Sequence, residues 1–383
     1  MNTLLLRSLV CVAPILAPRA HAQSVPHTAV VAAYAEYAHQ IYADCRRHAE
    51  LLTAAIDAFV AGPSEQRLAA ARARWVEARQ VYGQTEVLRF YGGPIDNAQD
   101  GPETLLNAWP LDEAYIDVVR GSPSGGILQD VARYPNLTGT VLALANERGG
   151  EANICVGWHA IEFMLWGQDF FDDGPGRRGH ADFVDGVDPH AARRREYLQV
   201  LGPLIVEQLR GLEQAWQPNA DNYRKRFLAA PDSAVRRILT GMVVLSGFEL
   251  GGERTAVAYE TQDQEDEHSC FSDTTHQDFV ANQRGILHVW QGTGPGMKGR
   301  GLRDLARAID APLADGIEAQ LLATAKAIQA MPQPFDQAIR GADDSKGRMA
   351  LDACIDSLAQ QTDLLAALGL ALGFEVPVKP SDR

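Results

Sequence analysis

Apolar residues recur every three or four positions through most of this chain, and the stripes they draw are helical. From Ala29 to Val60 the stripe runs through Val30, Tyr34, Tyr37, Ile41, Leu51, Leu52, Ile56 and Phe59, the spacing that turns one face of a helix towards a core. Gly62-Pro63-Ser64 closes it, and Ser64 with Glu65 and Gln66 behind it opens a second helix. That helix is predicted over Ser64–Tyr91, through Leu68, Ala71, Trp75, Ala78 and Tyr82, and Gly92-Gly93-Pro94 stops it. A loop-rich stretch to Asn136 carries one short helix at Leu111–Arg120. Further helices are predicted over Asn153–Gly167, Pro189–Trp216, Ser233–Tyr259, Thr274–Trp290, Leu302–Ala330 and Lys346–Leu372. Runs of alternating β-branched residues are missing, so strands contribute little. The expected fold is all-α, built from long antiparallel helices. A segment rich in Asp, Gly and Arg, residues 171–188, reads as an exposed connection between halves at 23–170 and 189–383. A short echo of Thr85-Glu86-Val87-Leu88-Arg89 in the stretch from Phe248 to Arg254 hints at a duplicated bundle.

Length and charge narrow the function. The 383 residues suit about two domains. Thirty-five Lys and Arg stand against 49 Asp and Glu, a net charge of −14. Such a surface repels phosphate backbones, and no long basic run offsets it, so nucleic acid is not an expected partner. At the N-terminus Arg7, the apolar stretch Ser8–Pro18 and Ala20-His21-Ala22 have the layout of a secretory signal peptide. The apolar stretch is about half of what a bilayer span needs, and the mature chain carries no other candidate span. Cleavage after Ala22 would remove Arg7 and Arg19 and leave a net charge of −16. The four mature cysteines, Cys45, Cys155, Cys270 and Cys354, then allow two disulfides in an oxidising compartment.

The most informative stretch is Gly157-Trp158-His159-Ala160-Ile161-Glu162-Phe163-Met164-Leu165-Trp166-Gly167. His159 and Glu162 lie three residues apart, so both leave one face of a helix. Their neighbours are apolar, and burying an imidazole and a carboxylate there is costly unless they pair or bind a cation. A satisfied core pair and a metal site both remain open on this spacing. H-E-x-x-H is absent, and the inverted form fails at Phe163. A second cluster, Gln262 to His276, holds seven acidic or histidine residues, His268 and Asp273 among them. Carboxylates and imidazoles suit iron, zinc or manganese, although a solvated loop ending in a Ser272/Asp273/Thr274 helix cap would also explain the acids. A third candidate is Glu86 with Arg89, an ion pair at helical spacing, with Asp96 past the turn facing a cleft or ordering the turn. Arg254 beside Glu253 reads as part of a solvated charged face. Nucleophile-elbow, P-loop and dinucleotide fingerprints are all missing.

Four pieces in order resemble the imelysin-like family of exported bacterial proteins: Gly157 to Glu162 (the family's GxHxxE), Arg89-Phe90-Tyr91-Gly92-Gly93-Pro94-Ile95-Asp96, Asn107-Ala108-Trp109-Pro110-Leu111-Asp112-Glu113, and Glu265 to Asp273. The resemblance implies two related helical bundles with the site near their interface, a periplasmic location, and a role in iron acquisition. Its implied ligand is a metal ion, iron with zinc as the second candidate, or an iron chelate, and its implied partners are iron-uptake proteins of the cell envelope. By the same resemblance His159, Glu162, Glu86, Asp96, His268 and Asp273 are expected at the metal, with Gly157, Arg89, Glu253 and Arg254 beside it. The family's metallopeptidase label fits these residues poorly, because His159 and Glu162 lack a second helical histidine. Cys155 departs from the small or hydroxyl residue expected there.

Overall fold

The computed structural model describes residues 26–380, so the predicted signal peptide and its cleavage site lie outside the described residues. Fourteen α-helices are described: α1 (His27–Ala61), α2 (Glu65–Tyr82), α3 (Glu103–Leu106), α4 (Gly139–Ala145), α5 (Trp158–Trp166), α6 (Ala191–Ala215), α7 (Tyr223–Ala229), α8 (Pro231–Val244), α9 (Val257–Thr261), α10 (Thr275–Gln291), α11 (Leu302–Ile309), α12 (Ala311–Ala330), α13 (Phe335–Ile339) and α14 (Lys346–Ala371). No strand is formed among the described residues, and no helix is long and apolar enough to cross a membrane. The all-α expectation holds.

The long α1 is the spine. It packs along α6 and α2 on one side and reaches α8 on another, burying Tyr34, Tyr37, Ile41, Leu52, Ile56 and Phe59 completely or nearly so. α6, placed by the sequence in the second half, therefore shares its core with the first helix of the chain. A second, smaller core lies among α10, α12, α13 and α14, around Phe279, Ile328, Phe335, Leu351 and Leu358.

Several elements differ from their sequence patterns for identifiable reasons. Ser64 starts α2 as expected, its hydroxyl accepting from Arg67 N at 3.4 Å. The helix ends at Tyr82, however, and tightens into a 3₁₀ turn, Gly83–Leu88. The short helix expected at Leu111–Arg120 is one 3₁₀ turn, Glu113–Tyr115. Beyond it the buried Asp117 accepts from Arg194 at 2.7 Å and from Arg178 at 3.1 Å, so tertiary ion pairs hold that backbone instead of a helical ladder. The single helix expected over Leu302–Ala330 breaks at Asp310, whose side chain caps α12 through Leu313 N at 3.0 Å just ahead of Pro312. The Ser233–Tyr259 pattern continues from α8 into a π-helix, Leu245–Ala256, a wider winding that shifts which residues face inward.

The disulfides allowed by four cysteines are not formed. All four are buried free thiols on separate elements, and burial pushes Cys155 up to about 12. Cys155 donates to Leu142 O at 3.4 Å, away from His159.

The turn Gly83–Leu88 is held where α8 presses on it. A Cβ at Gly241 would stand 2.4 Å from Val87 O and 3.1 Å from Arg89 O. We expect Gly241→Ala to destabilise the protein by about 1–2 kcal/mol in urea unfolding, the overpacking cost exceeding the gain in helix propensity. An alanine variant as stable as the parent would show that this approach is not tight.

Candidate metal centre

α5 carries the first two residues of the centre, and its start is fixed by Gly157. That residue has φ of 90°, and a Cβ on it would meet Leu106 O at 2.5 Å, so only glycine lets the chain enter α5 this closely. All nine residues of α5 are buried. Trp75 of α2 donates to Trp158 O at 3.0 Å, and Trp109 packs on the His159 ring with centroids 4.9 Å apart. His159 and Glu162 are thereby fully enclosed, with Nδ1 and Oε2 at 2.9 Å. The other oxygen, Oε1, accepts from Ser272 N at 3.0 Å and from Ser272 Oγ at 2.6 Å. Both Glu162 oxygens therefore have hydrogen-bond partners, and burial pushes its carboxyl up to about 8.

The acidic segment is a buried wall, not a solvated loop. Glu267 to Ser272 are all buried, and His268 lies against His159 with ring centroids 4.8 Å apart, edge to face. His268 Nδ1 stands 2.8 Å from Asp278 Oδ2, which also accepts from Ser269 Oγ at 2.6 Å. Arg79 Nη2 donates to the other oxygen of Asp278 at 3.2 Å and to nothing shorter. Arg79 and His268 together hold Asp278 well below the usual carboxylate range despite its burial. An ionised Asp278 at 2.8 Å requires the proton on His268 Nδ1. Burial, with Arg254 adding to it, pushes His268 down to about 4, so the ring is neutral and its Nε2 carries a bare lone pair. His159 is also held well below its usual value by burial and then by His268 and Arg79. Neither Nε2 has a hydrogen-bond partner.

Glu86 completes the floor. Its Oε2 accepts from Arg89 Nη1 at 2.7 Å and from Arg254 Nη2 at 2.6 Å. Arg254 also reaches Asn282 at 2.7 Å and Glu249 at 2.7 Å. The two guanidiniums overcome burial and hold Glu86 at about 2, with help from His268. Its Oε1 is buried and has no hydrogen-bond partner. The solvated face expected for Arg254 is corrected here: it is 4% exposed, because the π-helix turns it inward while Glu253 stays exposed.

A cavity of about 870 Å³ reaches His268, with His159, Glu162 and Glu86 behind its lining. Its lining includes His268, Arg89, Arg254, Trp109 and the acids Asp96, Glu103, Glu249, Glu253 and Asp266. Asp96 does both things considered for it, lining the cavity and accepting from Phe90 N and, at 2.8 Å, from Gly93 N. Asp273 keeps different company. Its φ of 55° and its neighbours Asp169 and Asp336 set it on the far side of the acidic segment, and the cap of α10 is Thr274, without a side-chain bond.

Sequence reasoning missed Arg79, Asp278 and Ser272. Arg79 had a signal: it lies four residues after Trp75 on the buried face of α2, where a charge demands a partner. Asp278, on the first turn of α10, had none. Among the described residues no three His, Cys, Asp or Glu are already drawn together for a metal ion. The fit is instead one of donor chemistry: two imidazoles, each with an acidic side chain at its Nδ1, and one ionised carboxylate oxygen of Glu86.

A family model described as imelysin, and bearing a peptidase label, matches residues 38–365. Iron-regulated protein A of Synechococcus elongatus is 23% identical over 335 residues, covering 85% of this chain and 80% of the relative. Two crystal structures share the fold. One, described as an iron-regulated protein A precursor from Parabacteroides distasonis, has a TM-score of 0.71 at 20% identity, covering 93% of this chain and 97% of that one. The other, an imelysin-like protein from Psychrobacter arcticum, has a TM-score of 0.65 at 16% identity, covering 92% and 98%.

The neutral state of His268 has a measurable signature. An unfolded histidine takes up its proton near pH 6.5, the folded one only near pH 4, so this contribution to stability is whole above pH 6.5 and is lost as pH falls towards 4. In metal-free protein the urea-unfolding advantage of the parent over His268→Gln should shrink by roughly 2–3 kcal/mol between pH 7 and pH 4.5. A difference independent of pH would mean that His268 is not held neutral.

Proposed function

The chain belongs to the imelysin family, and from that premise we propose that it binds a metal cation, iron with zinc as the alternative, at the floor of its cleft. The observation that carries this reading is the pair of unpartnered Nε2 atoms on His159 and His268, buried 4.8 Å apart ring to ring and each backed by a carboxylate. Imidazole nitrogens suit iron and zinc, and the names of the iron-regulated relatives favour iron. Glu86 Oε1 is the anionic donor within the same floor. Two imidazoles and one carboxylate leave coordination positions for water, for the acids of the cleft or for a chelator that arrives with the metal. Glu162 and Asp278 would orient the two rings and strengthen them as donors.

Export to the periplasm is part of the same proposal. It rests on the signal-peptide pattern at Met1–Ala22 and on the description of a structural relative as a precursor. An iron-binding protein there would receive or pass on its cargo within the cell envelope. The peptidase label is the weaker reading: Glu162, the carboxylate that would activate water, already has both oxygens occupied by His159 and Ser272.

The test is metal content by inductively coupled plasma mass spectrometry after dialysis, followed by calorimetric titration with ferrous and zinc ions. Near-stoichiometric binding should be lost in His159→Ala/His268→Ala. Glu162→Gln should bind about 10–100-fold more weakly while still binding, as expected for an orienting residue. Equal affinity in the parent and the double histidine variant would exclude this centre.

A further inference from the structure

The imidazole of His159 is sealed. The residue is 1% exposed, and the cavity that reaches His268 stops short of it. Its Nδ1 side is taken up by Glu162 at 2.9 Å. The ring itself packs against two others: His268, edge to face with centroids 4.8 Å apart, and Trp109, tilted against it at 4.9 Å. Both of these neighbours also line the cavity, so they stand between it and His159.

The two differ in how they are held. His268 is fixed by Asp278 at 2.8 Å, and Asp278 in turn by Ser269 and Arg79. Trp109 is held by ring contacts, with His159 and with Phe271 at 5.9 Å, and it is only half-buried. Its stretch of chain is tethered at both ends, by Asn107 N to Glu103 O and by Asp112 N to Ala152 O, each at 2.8 Å. Between these tethers Ala108, Trp109 and Leu111 donate no backbone hydrogen bond to another described residue. Swinging the indole into the cavity therefore costs ring packing and none of the hydrogen bonds that fix His268. A space of about 870 Å³ has room for it. Of the two rings covering His159, Trp109 is the one free to yield.

We propose that Trp109 is the movable cover of the centre, resting on His159 when closed and swinging into the cavity to let a cation reach Nε2. This rests on the cation site proposed above, and it gives Trp109 control over how fast that site loads and empties. Tryptophan suits the role, because a large rigid ring turns about only two side-chain torsions. A cover that reseats over a bound ion slows entry and exit alike and leaves affinity nearly unchanged. Removing it should therefore change rates far more than binding strength.

Labelling of the metal-free full mature protein with diethyl pyrocarbonate, located by peptide mass spectrometry, reads the cover without reference to metal. In the parent His159 should react slowly beside His180, whose side chain is 40% exposed. Trp109→Ala should speed labelling of His159 by about tenfold or more, because a buried ring is reached only through such openings. Trp109→Phe, which keeps a smaller ring in place, should fall between the two. His276, buried elsewhere with Nε2 at 3.0 Å from Ile328 O, should stay unreactive and thereby separates a lifted cover from general loosening. Stopped-flow zinc exchange against a chromophoric chelator should show faster loading and faster release in Trp109→Ala, with affinity changed by less than about threefold. Unchanged labelling of His159, an equal gain at His276, or a loss of affinity without faster exchange would each overturn the proposal. A parent that binds no metal would overturn the cation site, and the labelling contrast would then decide on the cover alone.

Discussion

The centre depends on the positive charge buried beneath it. Arg79, Arg89 and Arg254 are each less than a tenth exposed, and three guanidiniums out of water are tolerable only with carboxylates and amides packed against them. Asp278 and Asn107 serve Arg79, Glu103 and Glu86 serve Arg89, and Glu86, Glu249 and Asn282 serve Arg254. The same field acts twice more. It keeps Glu86 and Asp278 ionised despite burial, and it opposes protonation of His159 and His268. A neutral His268 beside the ionised Asp278 leaves Nε2 free to donate a lone pair to a cation, whereas Glu162 beside His159 is pushed up to about 8 by burial. Replacing the arginines with apolar residues would remove the anions' partners, while burial would go on holding the imidazoles below their usual range.

The fold's contribution is to bring these groups from four parts of the chain to one point. Arg79 comes from α2, Glu86 from the turn that follows it, Arg254 from the π-helix, and Asp278 from the first turn of α10. The π-helix matters because its wider winding places Arg254 and Glu249 against the turn carrying Glu86, where an α-helical register would present different residues. The turn itself stays in place because Gly241 lets α8 come within contact of its carbonyls. Around this floor a density of unsatisfied polar atoms remains, among them Arg79 Nε, Tyr82 OH, Trp158 Nε1 and both imidazole Nε2 atoms. Most buried polar groups in proteins find partners, so this concentration is the feature on which the proposed cation site rests.

Much of this was legible in the sequence because it expressed local patterns. The helices with long apolar stripes, α1, α6, α10 and α14, were found with ends within a few residues, as was the start of α2. His159 and Glu162 stood out because two ionisable groups occupied an otherwise apolar helix, and His268 because histidine is not what a solvated acidic loop needs. What failed was non-local or depended on exact winding. Arg254 was read as solvated since α-helical periodicity carries it outward. Asp278 looked like any acid in a first helical turn, and its role arises from a histidine ten residues earlier that returns over it. For Glu162 the sequence offered only His159 as a partner; Ser272, 110 residues away, which donates to its second oxygen, could not be read from local spacing.

That occupation also bears on what the centre is suited to do. A hydrolytic mechanism that uses a carboxylate as its base needs one able to take a proton from water and give it up again, hence one with an oxygen facing the reacting molecule. Here the two carboxylates nearest the imidazoles are turned away from the cleft, each bonding the Nδ1 side of its ring and a serine hydroxyl. The buried atoms left without hydrogen-bond partners include Nε2 of His159, Nε2 of His268 and Oε1 of Glu86. An imidazole nitrogen can serve as a base as well as a metal donor, so the occupied carboxylates weigh against carboxylate-assisted hydrolysis alone. The acids along the cleft would draw such a cation inward, while the guanidiniums behind the floor, already paired, keep the donors in the charge state that binding requires.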